Sequence, residues 1–157
     1  MTTQTIYHTL LLLHLVGLTL FAGTTIADFL TFRQFQKQYD ADKTKSLALL
    51  SAMSSLQIAM RIGIAVIILA GIGLMAMTHG LFGEQLWFRI KFALVLLVIL
   101  NSILMGNRQR IKLKKTFETN GNDTATVTGI QIKLSRFYYI QLASLFLIVL
   151  LSVFKFN

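Results

Sequence analysis

The sequence contains no cysteine and no proline, and only 13% of its 157 residues are charged. Without cysteine, the chain cannot form disulfides, thiolate metal sites, iron–sulfur clusters or a cysteine nucleophile. Without proline, no residue forces a kink or a break in a helix. Because soluble domains are about 25% charged, the low charge content excludes an ordinary soluble globule.

Acidic residues are also scarce, with six Asp and Glu against fifteen Lys and Arg, which gives a net charge of +9. The basic residues flank long apolar stretches, where they meet anionic headgroups and set the orientation of the helices. We therefore expect the lipid bilayer to be the partner of these charges, and no binding of nucleic acid.

Hydrophobic residues make up 55% of the chain and fall into four long stretches. Each stretch is close to the roughly 20 apolar residues that cross the hydrocarbon core of a bilayer. The sequence therefore predicts an all-α integral membrane four-helix bundle in a single domain, 1–157. The predicted spans are residues 6–30, 56–78, 87–106 and 137–154.

Lys and Arg are concentrated in two connections, predicted as basic cytoplasmic loops over about residues 31–55 and 107–136. The connection 79–86 and the N-terminal residues before the first span contain neither Lys nor Arg. Loops rich in Lys and Arg stay in the cytoplasm. We therefore expect both termini on the outer, periplasmic side of a bacterial inner membrane.

Parts of the two basic connections are compatible with helix. Residues 31–39, 46–55 and 107–118 contain no glycine or proline, so the spans are expected to continue as helices into the cytosol. The small polar residues of 119–129 cannot bury enough apolar surface to order themselves, which predicts a mobile linker there.

His14 is an ionisable residue about two turns inside the first span. An imidazole on an inward face beside a glycine suits a haem or metal site, because the imidazole can ligate and glycine lets a flat macrocycle approach. The alternative is a histidine bonded to a backbone carbonyl or a hydroxyl of a neighbouring helix, and the sequence leaves both open. Helical spacing places on its face Gly17, Phe21, Thr24 and Asp28.

Arg89 and Lys91 open the third span on the outer side. Their long stems allow them to snorkel to the interface. In the other interpretation, Lys91 neutralises a haem propionate or reaches a substrate pocket. Two more histidines, His8 and His79, are predicted at the outer ends of the first two spans. The favoured interpretation for both is an interfacial histidine without a function, rather than a ligand.

A second group of polar residues is predicted in the inner half of the membrane. An Asp28–Arg61 pair there would remove the cost of two isolated charges and fix the register of the helices. The five residues of this group are Asp28, Gln57, Arg61, Asn101 and Gln141.

Glycines 63, 71 and 73 of the second span permit close approach of a helix or contact with a flat ligand, and close packing is the favoured use. Glycine-rich faces also permit a homodimer.

Several short motifs resemble the HemJ-type protoporphyrinogen oxidases, which are small bacterial membrane proteins with four-helix cores related to other haem b proteins. They are Leu13-His14, Phe21-Ala22-Gly23, Lys91 in the run IKFALVLLV, and the terminal run from Leu151 to Lys155. The resemblance follows the segment order over nearly the whole chain. It departs at Leu20, where the family tends to have Trp, and at Ile62, where it often has Pro.

The resemblance implies a haem b in the bundle, with His14 as its ligand and Lys91 as a functional lysine. The leading hypothesis is therefore a haem b-binding membrane oxidoreductase that acts on a tetrapyrrole or a quinone. In it Lys91 is catalytic, and His14, Gly17, Phe21 and Arg89 bind the cofactor. The rival hypotheses are a non-catalytic membrane scaffold or small transporter without a cofactor, and a copper-handling protein that uses His14, His79 and methionines.

Overall fold

The computed structural model of the chain describes residues 3–39, 41–78, 85–119 and 124–154. These residues are helical almost throughout and include no strand, which confirms the predicted all-α class. In chain order the elements are α1 (Thr3–Gln38), α2 (Lys43–Met77), α3 (Leu86–Asn101), a π-helix (Ser102–Asn107), α4 (Arg108–Thr119) and α5 (Thr124–Phe154).

Four of the described helical segments are long and apolar enough to cross a membrane, as a multi-pass membrane protein requires. The 36 residues of α1 measure about 54 Å at 1.5 Å per residue, against about 30 Å for the hydrocarbon core of a bilayer. The helices therefore continue past the apolar spans, as predicted. The four segments are Thr3–Gln38, Thr44–Met77, Leu86–Thr116 and Ala125–Phe154.

The helices occupy most of the two segments that were predicted as loops, 31–55 and 107–136. The prediction of a mobile linker over residues 119–129 is wrong for residues 124–129, because α5 begins at Thr124. Residues 120–123 lie outside the described part. The physical reason is that hydropathy marks where a helix leaves the apolar core, whereas helix length depends on the absence of breakers and on packing.

The chain divides into two compact units, residues 1–89 and residues 90–156. In the first unit α1 packs on α2, where Gly17 contacts Ile67 and Phe21 contacts Gly63. Residue numbers rise along α1 as they fall along α2, so the two helices form an antiparallel hairpin. The buried residues of α1 recur at steps of three and four: Gly17, Phe21, Thr25, Asp28, Phe32 and Phe35.

In this hairpin α1 ends at Gln38 and α2 begins at Lys43, and Asp42 caps the start of α2. One carboxylate oxygen of Asp42 accepts from the backbone N–H groups of Thr44 at 3.0 Å and Lys45 at 3.1 Å. Its other oxygen lies 3.4 Å from Nζ of Lys45. Because the first N–H groups of a helix have no intrahelical partner, this cap fixes where α2 begins.

In the second unit α4 and the π-helix pack on α5. Phe137 and Tyr138 are buried in the middle of α5. On the side richest in Lys and Arg, the buried apolar residues of α4 and α5 are Leu113, Val127, Ile130 and Leu134. On the other side, those of α3 and α5 are Val98, Leu145 and Ile148, so buried apolar residues of this unit lie on both sides of the aromatic pair.

The π-helix aligns the contacts of this unit. Ser102, Gly106 and Arg110 contact Gln141, Phe137 and Tyr138 of α5, respectively. In a regular α-helix four residues overshoot one turn by about 40°. The two four-residue steps from Ser102 to Gly106 and from Gly106 to Arg110 would therefore turn Arg110 away from α5 by about 80°. The i→i+5 bonding of a π-helix turns less per residue and removes this drift.

Candidate functional site

His14 is a half-buried residue of α1 that contacts α2. Its Nδ1 atom lies 3.1 Å from the carbonyl oxygen of Ile67. A carbonyl oxygen can only accept, so Nδ1 donates the proton, and in the neutral ring Nε2 then carries the lone pair. This is the neighbouring-helix carbonyl bond that was one of the two interpretations of His14, and it is also the bond that orients metal-ligating histidines.

The same interface tests whether a haem fits beside His14. A Cβ atom on Gly17 would lie 3.0 Å from Cγ1 of both Val66 and Ile67. Phe21 is 3% exposed, and its backbone is covered by Gly63. The space that a macrocycle would need against Gly17 and Phe21 is filled by α2, so the residues between α1 and α2 do not fit a haem.

The glycines of α2 also face α1. A Cβ atom on Gly71 would lie 3.5 Å from Cε1 of His14, and a Cβ atom on Gly73 would lie 2.9 Å from Cδ2 of Leu10. Close helix packing, the favoured prediction for these glycines, is thus what the contacts of Gly63, Gly71 and Gly73 provide. Their alternative use, lining a macrocycle, would require α1 to move away.

The other predicted site residues that the structure describes lie near helix ends that the sequence predicts on the outer side. Arg89 is exposed and Lys91 is half-buried in the first turns of α3, and their roles toward a cofactor or substrate stay predictions. His8 is exposed, stacks edge-on against Tyr7 and lines a shallow cleft of about 380 Å³ formed by the first turns of α1 alone. His79 lies outside the described residues.

The second unit contains a polar network inside its apolar span. Asn101 donates from Nδ2 to Oε1 of Gln141 at 3.1 Å and to the carbonyl oxygen of Phe137 at 3.3 Å. Gln141 is fully buried and donates from Nε2 to Oγ of Ser102 at 3.2 Å. Asn101 and Gln141 were both predicted in the inner polar group, and the structure brings them together across two helices.

The remaining members of that predicted group lie in the first unit. Asp28 is fully buried, Gln57 is half-buried and Arg61 is exposed. The pairing of Asp28 with Arg61 therefore stays a prediction. Thr25 is also fully buried and donates its hydroxyl proton to the carbonyl oxygen of Phe21, at 2.7 Å, within its own helix.

A buried cation of α4 was not predicted from the sequence. Arg110 is 8% exposed, donates from Nη2 to the hydroxyl of Tyr138 at 2.9 Å, and lies over the rings of Phe137 and Tyr138 at 5.6 and 5.4 Å. Tyr138 itself is fully buried. The sequence feature that could have indicated this contact is the aromatic pair Phe137-Tyr138, which follows the basic residues Lys133 and Arg136.

Within the described ranges, no three His, Cys, Asp or Glu side chains come together in an arrangement that could hold a metal ion. A haem with a single histidine ligand does not require such a group. No family model, curated protein or solved structure matches the chain. The functional argument therefore rests on the contacts described above.

Proposed function

We propose that this chain is a four-helix integral membrane scaffold without a cofactor, placed in a bacterial inner membrane with both termini outside. One observation supports the choice most directly: His14, Gly17 and Phe21, the residues on the candidate haem face, are engaged in packing α1 on α2. Lipid tails are as apolar as these helices, so close packing and interhelical hydrogen bonds must hold such a pair together.

The orientation within this proposal rests on charge. The ends of α1 and α5 nearest the two basic connections carry Arg33, Lys37, Lys133 and Arg136, whereas the connection 79–86 carries no Lys or Arg. The excess of Lys and Arg favours the cytoplasm for the basic ends. The helices extend past the apolar spans at these ends, which would give a scaffold a helical platform in the cytosol.

A haem b-binding oxidoreductase is the second candidate, favoured by the tautomer of His14. With Nδ1 bonded to Ile67, the lone pair of Nε2 lies on the ring edge away from that bond. A haem on that edge would lie outside the α1–α2 interface. The roles of Lys91 and Arg89 toward its propionates rest on the sequence alone. When bound, the haem would supply electron transfer to or from a tetrapyrrole or a quinone.

An absorption spectrum of the detergent-purified protein, expressed with ample haem supply and measured before and after dithionite, separates the two candidates. The scaffold proposal predicts no Soret band. A Soret band at near-stoichiometric occupancy that is lost in His14→Ala and kept in His8→Ala would overturn it, since His8 is an exposed histidine of the same helix.

The same variants test the packing role without any cofactor. Loss of the bond to Ile67 in His14→Ala should lower the free energy of unfolding by about 0.6 kcal/mol, the average for interhelical hydrogen bonds in membrane proteins. His8→Ala should leave it unchanged. Equal stability of both variants would contradict the packing role, whatever the spectrum.

A further inference from the structure

The second unit carries a band of exposed cations where its helices leave the apolar span. We define this basic band as Arg108 and Lys112 of α4 with Lys133 and Arg136 of α5. All four side chains are exposed, in contrast to Arg110 beside them, which is buried against Phe137 and Tyr138. The band is therefore directed away from the α4–α5 contact.

Contacts between the two helices place the band at one level. Gly106 meets Phe137 and Arg110 meets Tyr138, so Arg108 lies close to the level of Arg136. At 1.5 Å per residue, Lys112 lies about 6 Å beyond Arg108 and Lys133 about 4.5 Å beyond Arg136. The four charges thus occupy a layer about 6 Å deep, which matches the roughly 5–8 Å depth of one headgroup layer.

The apolar span fixes where this layer lies in a bilayer. From Phe137 to Phe154, α5 contains no charged residue and extends for about 27 Å, close to the roughly 30 Å of the hydrocarbon core. Arg136 immediately precedes that span. The basic band therefore falls in the headgroup layer at the end of α5 richest in Lys and Arg.

The residues around the basic band suit contact with lipid headgroups and acyl chains. Residues 108–116 and 124–136 contain no Asp or Glu, so no acidic side chain of these segments offsets the cations. Exposed apolar side chains lie between the charges: Ile111 is 49%, Ile132 51% and Tyr139 60% exposed. Cations interleaved with apolar and aromatic groups are typical of surfaces at the boundary between headgroups and acyl chains.

The first unit provides a contrast. Its turn also carries basic residues, but Asp42 lies there too and pairs with Lys45 at 3.4 Å. Arg33 and Lys37 are exposed on α1 and supply the same charge as one pair from the basic band. They therefore serve as a matched control for charge alone.

We propose that the basic band binds the phosphate groups of anionic phospholipids. Arginine guanidinium groups match phosphate oxygens in a bidentate manner, and lysines add charge from flexible stems. The proposal concerns the second unit only, and it holds whether the protein acts as a scaffold or binds a haem. A lipid result and a haem spectrum can therefore fail independently.

The test is native mass spectrometry of the full-length protein in detergent, mixed with equal amounts of phosphatidylcholine and phosphatidylglycerol. The wild type should retain phosphatidylglycerol preferentially, and Arg108→Gln/Arg136→Gln should reduce that preference by about tenfold. Arg33→Gln/Lys37→Gln should keep it, and Arg108→Lys/Arg136→Lys should restore most of it. Circular dichroism verifies that each variant is folded.

Three outcomes would overturn the proposal. The two Gln double variants could lose the preference equally, which would mean that only net charge matters. Soluble glycerol phosphate could displace the lipid completely, which would mean that the band takes a free phosphate. Finally, phosphatidylglycerol could be retained no better than phosphatidylcholine while a polyglutamate peptide binds in a band-dependent manner, which would identify an acidic protein segment as the partner.

Discussion

Gly63 of α2 lies so close to Phe21 of α1 that a Cβ atom on the glycine would be 2.9 Å from the Phe21 amide nitrogen and 3.1 Å from its Cα. Backbone atoms cannot rotate away as a side chain can. Gly63→Ala should therefore force the two helices apart and lower the free energy of unfolding by about 1–3 kcal/mol. Reversible unfolding in mixed micelles, followed by circular dichroism, measures this loss.

Gly23→Ala is the matched control for this substitution. A Cβ atom on Gly23 meets nothing within 4 Å, and the residue lies in the middle of α1. Alanine should raise stability there by about 0.5–1 kcal/mol because it is the better helix former. If the two variants change stability equally, the close helix contact at Gly63 does not exist.

Gln141 should stabilise the second unit through its bonds to the last residue of α3 and the first residue of the π-helix. Gln141→Leu removes its bonds with Asn101 and Ser102 and should cost about 1 kcal/mol, within the range of polar contacts between membrane helices. Ser152→Ala is the control, since the Ser152 hydroxyl donates only within α5, to Ile148.

A double-mutant cycle of Gln141→Leu with Ser102→Ala isolates the shared bond. Ser102→Ala should have a smaller effect in the Gln141→Leu background than in the wild type. Strictly additive effects, measured by the same unfolding assay, would show that these side chains do not interact.

The π-helix should tolerate the deletion of one residue. Deleting Met105 places Arg110 seven positions after Ser102, close to two α-helical turns, so Leu113 should still face α5. Deleting Ile111 instead should rotate Leu113 by about 100°. Both deleted residues are exposed and apolar, at 38% and 49%, so the two deletions are matched.

Maleimide labelling of Leu113→Cys measures this rotation, and the chain has no natural cysteine to interfere. Leu113 is fully buried, so the thiol should be protected in the parent and in the Met105 deletion, and reactive in the Ile111 deletion. Equal reactivity in both deletions would rule out the π-helix as the element that sets the register.

The cap at Asp42 should make the first unit sensitive to acid. The backbone N–H of Lys45 holds the pKa of the Asp42 carboxyl below its usual value of 3.8. Since the folded pKa is the lower one, the stabilisation is complete above pH 3.8 and is lost as the pH falls through the folded pKa. Asp42→Asn keeps a capping oxygen that does not titrate.

The melting temperature of the wild type should therefore fall relative to that of Asp42→Asn as the pH drops below 3.8. Near neutral pH the wild type should be at least as stable, because its carboxylate also faces Lys45. Parallel pH profiles of the two proteins would show that the cap does not titrate with folding.

Helical periodicity predicted the inward face of α1 closely, because an apolar helix leaves few arrangements for its small and polar residues. Gly17, Phe21 and Asp28 are buried, as their spacing from His14 predicts, although Thr25 rather than Thr24 completes the row. Both threonines lie within a turn of Phe21, so only the position of α2 decides between them.

Contacts between distant parts of the chain could not be predicted in the same way. The bond of Arg110 to Tyr138 depends on the relative register of α4 and α5, and that register depends on a π-helix that has no breaker residue as a signal. The chemistry of His14 stayed open for the same reason, because its partner is a backbone carbonyl, which every residue possesses.

The first unit is one uninterrupted stretch of chain, residues 1–89, apart from the final residue. A nascent chain emerges from the ribosome N-terminus first, so α1 and α2 can pair before α5 has been synthesised. The buried Asp28 and the His14–Ile67 bond need α2 beside α1. We therefore expect α1 and α2 to enter the lipid together, as a paired hairpin.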